Sequence, residues 1–171
     1  MPPRVRKVAL TAHVTTSVGW LGAVAAFLAL AVTGLVADAD ASVRGAYVAA
    51  DVVTRAVIVP LALASLLTGV LQSLGTPWGL FRHHWVLVKL VLTVVATALL
   101  FLHAQPIGHL GAVAASGARL GPDLDGMRLQ LVADAAAALV VLLGATALAV
   151  LKPRGVTRWG RRRPAAPATV E

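Results

Sequence analysis

Four long stretches of this chain are almost wholly apolar, at about residues 8–37, 46–74, 84–104 and 128–151. As a helix rising ~1.5 Å per residue, each is long enough to cross a hydrocarbon layer of ~30 Å. The sequence therefore predicts an all-α protein, a four-transmembrane-helix bundle over residues 1–152. The first two stretches exceed the required length and should tilt or extend past the membrane. Pro60 falls inside the second and should kink it.

Composition agrees. Of 171 residues, 58% are hydrophobic and only 13% charged, whereas a soluble domain carries about a quarter charged residues. The absence of cysteine removes disulfides, cysteine-ligated iron–sulfur clusters and thiolate metal sites. Met1 and Met127 are the only methionines, too few for a Cu(I) thioether cluster. The net charge of +8 is concentrated at the two ends, beside apolar spans, which is the pattern of membrane anchoring and not of nucleic-acid binding. Twelve arginines against three lysines, in a chain dominated by Ala, Val and Leu, suggest a high-GC bacterial coding style.

Charge also predicts orientation. The N-terminus, the connection between the second and third spans and the C-terminal tail together carry ten Lys/Arg, and the opposite connections carry three (Arg44, Arg119 and Arg128). The positive-inside rule then places both termini in the cytoplasm of a bacterial cell, in its cytoplasmic membrane. The first apolar stretch is about twice as long as that of a signal peptide, so an uncleaved helix is expected, although residues 37–39 read as a small-residue cleavage pattern. Residues 75–79 read as a tight turn and 105–127, with Pro106 and Pro122, as the longest loop. Residues 153–171 form a basic, Pro/Ala-rich tail that is expected to be disordered. Nucleotide-binding and metalloprotease motifs are absent from the sequence.

Ionisable groups inside membrane helices are costly and usually face the bundle interior. On the first helix His13, Ser17 and Trp20 share a face, and on the third Trp85, Lys89, Thr93 and His103 lie along one stripe. Asp51 and Arg55 are four residues apart on the second, where they can pair, and Asp134 sits on the fourth with Gln130. Ala137, Gly144 and Ala145 should permit close helix approach. Depth divides these groups. His13, His83, His84 and Lys89 lie toward the cytoplasmic side, and Asp51, Arg55, His103 and Asp134 toward the other. His13 and His103 should therefore not share a metal ion. Asp51, Arg55 and Asp134 are expected to form a structural ion-pair network holding the second helix against the fourth. His13 is either a satisfied interior polar group or a ligand. Lys89 either snorkels to the surface or partners that ligand. Trp78 and Trp85 fit an interfacial aromatic belt, whereas Trp20 lies too deep for one and should pack in the core.

Residues 13–22 read HVTTSVGWLG, 67–69 LTG and 85–90 WVLVKL. With these segments, residues 10–103 resemble a broad group of small bacterial four-helix integral membrane proteins. The group comprises uncharacterised members of actinobacterial type and, more distantly, copper-resistance protein D-type membrane domains and the small membrane protoporphyrinogen oxidase. The resemblance to that oxidase implies b-type haem bound between helices 1 and 3 for a redox role, with His13 as the metal ligand and Lys89 as a second functional group. Trp20 and His84 complete the candidate cofactor-binding set, and His84 could reach the iron only if the start of the third helix bends inward. Ser17 leaves room on the His13 face, while Trp20, Val24 and Phe27 are bulky.

Two other readings stay open from the sequence. One is a non-catalytic scaffold or partner subunit, acting through a membrane-protein partner or a homo-oligomer in the lipid bilayer. The other is a copper- or ion-transport-linked protein, against which stand the apolar runs 23–31 and 94–100.

Overall fold

The computed structural model describes residues 2–75, 83–151 and 157. Residues 76–79 of the expected turn, Trp78 among them, and nearly all of the tail lie outside the described residues. Four helices account for almost everything else: α1 (Pro3–Val36), α2 (Asp40–Leu74), α3 (His84–Ala115) and α4 (Pro122–Leu151). Each is long and apolar enough to cross a membrane.

Besides the start of α2, which lies at Asp40 and not near residue 46, three element boundaries differ from the sequence reading. α1 begins at Pro3, a residue whose missing N–H costs nothing in a first turn. α3 continues through Pro106 to Ala115, where a loop was expected. A proline inside a helix costs about 3 kcal/mol, and tertiary burial of Ile107, Leu110 and Ala114 offsets it. Just past the cap residue Ser116 comes Gly117, whose φ of 77° is the left-handed conformation that closes a helix C-terminus at little cost only for glycine. The third difference is the entry to α4, a 3₁₀ turn over Pro122–Leu124.

Helix α2 answers Pro60 with a π-helical turn. Proline cannot donate to the carbonyl four residues back, and over Thr54–Ile58 the backbone widens so that the Val59 N–H bonds to the Thr54 carbonyl. The helix therefore stays continuous across the proline, with Thr54 buried and its hydroxyl bonded to Ala50 O at 2.8 Å.

Successive helices pack as neighbours, and α4 closes the ring against α1. α1 and α3 thus lie across one diagonal, α2 and α4 across the other. The shared core uses Trp20, Val24, Phe27 and Ala31 of α1, with Tyr47, Leu110 and Leu131 from the other three. Those α1 residues follow the i, i+4, i+7, i+11 spacing of a single stripe. The outward faces carry exposed Val and Leu along all four helices, Val18, Leu67, Leu102 and Val140 among them. A surface of this kind suits lipid and not water.

Close helix approach occurs at glycines other than Gly144, around which a Cβ would meet nothing within 4 Å. At Gly34 a Cβ would lie 2.6 Å from the Tyr47 ring, and at Gly111 2.7 Å from Asp51 Cβ. These two positions set the contacts of α1 with α2 and of α2 with α3 at the end of the bundle where the core is densest.

Candidate functional site

At the opposite end the core gives way to a cavity of about 690 Å³. All four helices contribute to its wall: His13, Ser17 and Trp20 from α1, Ser65, Gly69 and Gln72 from α2, Trp85 and Lys89 from α3, and Leu142 and Thr146 from α4. Ligand sites commonly enclose about 300–1,000 Å³ within mostly apolar walls holding a few placed polar groups.

His13 is held from both ring nitrogens. Nδ1 lies 3.2 Å from Ser65 O and 3.2 Å from Thr68 Oγ1. A carbonyl only accepts, and the Thr68 hydroxyl already donates to Ala64 O at 2.6 Å. The proton therefore belongs on Nδ1, an assignment inferred from the partners. That leaves the Nε2 lone pair free to accept from Lys89 Nζ, 3.1 Å away. An imidazole whose Nδ1–H is tied to a backbone carbonyl is oriented as metal-binding histidines commonly are.

Supporting contacts fix this geometry. Ser17 Oγ and Ser65 Oγ are 2.8 Å apart, which joins α1 to α2 one turn further along. Gly69 provides the notch for the ring: a Cβ there would meet His13 Cε1 at 3.0 Å. Gly69→Ala is expected to lower stability by about 1 kcal/mol, as overpacking of a fixed contact does, and to weaken whatever His13 Nε2 binds. Gly22→Ala, which meets open space, should leave both unchanged. Melting curves of the two variants in detergent check this. Equal behaviour would mean that the Gly69 notch does not hold the ring.

The cavity has a definite charge. Arg6 and Lys89 line it, and none of the described Asp or Glu residues does. Gln72 Oε1 is buried without a hydrogen-bond partner, and Gln72 forms part of the same wall. An unsatisfied buried acceptor costs about 1–3 kcal/mol.

Of the residues singled out from the sequence, His13, Trp20 and Lys89 come together in this cavity. Trp85, read as part of an interfacial belt, is also in its wall. His84 is exposed and takes no part in it, so the inward bend that would bring it to a metal is absent. Among the described residues no three His, Asp or Glu side chains form a metal-holding group.

The expected three-residue ion-pair network resolves into two separate pairs. Arg55 Nε bonds Asp51 Oδ1 at 2.7 Å within α2, seated against Gly108 and Gly111 of α3. Asp134 Oδ2 instead lies 3.2 Å from His103 Nε2, joining α3 to α4. The reason is the ring order: α2 and α4 are diagonal, so Asp134 faces α3. As anticipated from depth, His13 and His103 sit in different clusters.

Some functional contacts carry no sequence signal of their own. Thr68, Gln72 and Thr146 are ordinary polar residues in helices until the fold turns them inward. Comparison with known protein families, curated proteins and solved structures finds no match to this chain.

Proposed function

We propose that this chain is an integral membrane protein that binds b-type haem in the His13–Lys89 cavity for a redox role. In this reading both termini lie in the cytoplasm of a bacterium, with the cavity toward the cytoplasmic side of its membrane. The observation that carries it is the state of His13: its Nδ1–H is committed to Ser65 O, and its Nε2, which meets only the exchangeable Lys89 ammonium among the described residues, belongs to a ring that lines a large cavity. A neutral imidazole of this kind is a good axial iron ligand, and facing helices of a four-helix bundle are a common place for such a cofactor.

The residues present fit the group. Trp20, Trp85 and Leu142 offer apolar walls to a macrocycle. Arg6 and Lys89 offer two cations to its two carboxylates, and among the described residues no acidic side chain in the wall opposes them. Lys89, now donating to His13 Nε2, would release that lone pair and turn its ammonium to a carboxylate. Bound haem would supply one-electron chemistry, while the protein holds the ligand tautomer. The resemblance of residues 13–22 and 85–90 to a four-helix porphyrinogen oxidase supports the same assignment.

The test is an absorbance spectrum of the detergent-purified protein, expressed with added haem, before and after dithionite. A reduced b-type spectrum is the expected outcome. A colourless protein would overturn the proposal and leave the non-catalytic scaffold as the better reading. Transport by a single copy is disfavoured by Trp20, Val24 and Phe27, which close the bundle beyond the cavity.

A further inference from the structure

The dense end of the bundle holds a second, smaller cavity of about 190 Å³, between the start of α2 and the connection from α3 to α4. Its charged lining consists of Arg44, Arg119, Arg128 and Asp40. Three guanidinium groups thus share it with one carboxylate.

The three arginines differ in how far they are already satisfied. Arg128 is fixed: its N–H groups bond Gly34 O at 2.6 Å, Tyr47 Oη at 3.2 Å and Asp125 Oδ1 at 2.7 Å. Arg119 Nε meets Asp40 Oδ2 at 3.3 Å, with both side chains more than half exposed, and an exposed pair of that kind is worth little. Arg44 is half-buried. Among the described residues it makes no hydrogen bond or ion pair. Asp40, one turn earlier on the same helix, would be its natural partner but is engaged with Arg119. A partly buried guanidinium with none of its five donors bonded to a described residue, beside a polar cavity, is open to an anion.

We infer that this cavity binds a phosphate group, the chemistry shared by an anionic lipid headgroup and free inorganic phosphate. The planar donor fork of arginine matches phosphate oxygens in pairs. Arg44 supplies the open fork, Arg119 a second that can leave an exposed carboxylate, and Arg128 a fixed positive wall. Position favours the lipid. The helices, 30 to 35 residues long, exceed a core of ~30 Å at ~1.5 Å per residue. Their ends, where Arg44 and Arg119 lie, therefore stand at headgroup level. This preference rests on reading the helices as membrane spans. The site itself does not depend on haem.

The test uses full-length protein in a neutral maltoside detergent at constant ionic strength. Binding of a short-chain phosphatidylglycerol is followed by native mass spectrometry, and that of inorganic phosphate by calorimetry. Arg44→Gln removes no hydrogen bond or ion pair with a described residue, so the fold should persist, which its melting curve checks. Its affinity for the ligand should fall about tenfold or more, the loss expected for a charge-assisted hydrogen bond. Arg119→Gln should weaken binding in the same direction, and Arg4→Gln, at the far end of α1, should not. Phosphatidylglycerol binding tighter than phosphate would identify a lipid site, and the reverse a soluble-anion site. No binding of either, unchanged affinity in Arg44→Gln, or an equal loss in Arg4→Gln would overturn the inference.

Discussion

His13→Ala is expected to abolish the b-type haem spectrum, with affinity for haem falling by more than about a hundredfold. Loss of an outer-shell partner alone lowers metal affinity ~10–100-fold, and this variant removes the ligand itself. The effect should be large because no second histidine lines the cavity among the described residues. His84 is outside the cavity wall, and among the described residues Lys89 is the only other side chain that reaches Nε2. His13→Gln retains a hydrogen-bonding side chain and should be equally colourless, which separates lost ligation from lost packing. Lys89→Met keeps length without charge. It should keep the spectrum and lose about tenfold in affinity, the scale of one charge-assisted hydrogen bond. An intact Soret band in His13→Ala would remove His13 as ligand. Loss of the band in Lys89→Met with retention in His13→Ala would exchange the two roles.

The largest expected effect on stability is at Arg128. Its side chain is 13% exposed and ties three helices: it caps the Gly34 carbonyl of α1, bonds the buried Tyr47 of α2 and starts from α4. Its guanidinium also lies 5.9 Å from the Tyr47 ring centroid, within cation–π range. Arg128→Ala leaves a helix C-terminal carbonyl and a buried hydroxyl unsatisfied, each costing about 1–3 kcal/mol. A total near 3 kcal/mol is expected, read as a lower unfolding midpoint in detergent. Arg128→Lys should recover only part, because a single ammonium cannot span the three acceptors. Arg119→Ala, only a short way along the chain, should cost less than about 1 kcal/mol, as exposed pairs do. Equal losses at the two positions would show that Arg128 is not the clasp.

Much of the architecture is written along the chain. An apolar run of sufficient length defines a helix without reference to any neighbour, so all four were legible. Depth is legible too, because it is counted from a helix end. That is why His13 and Lys89 were placed at one level and His103 at another. Where local rules misled, tertiary packing had outweighed them. Pro106 and the glycines after it suggested a loop, yet Ile107 and Leu110 are buried and Gly108 and Gly111 seat the Asp51–Arg55 pair. Gly144 suggested close approach, but the helix turns it to open space.

The sequence by itself determined the number of helices, their apolar character and the depth of each polar group, since these depend on composition and on rise per residue. Only the tertiary structure decided which groups meet. The ring order made Asp134 a neighbour of His103 instead of Arg55. The rotation of α2 presented Ser65 O to His13, and that of α1 left Trp20 between cavity and core. Azimuth and neighbour identity depend on how four helices settle against one another, and no property read along a single helix contains that information.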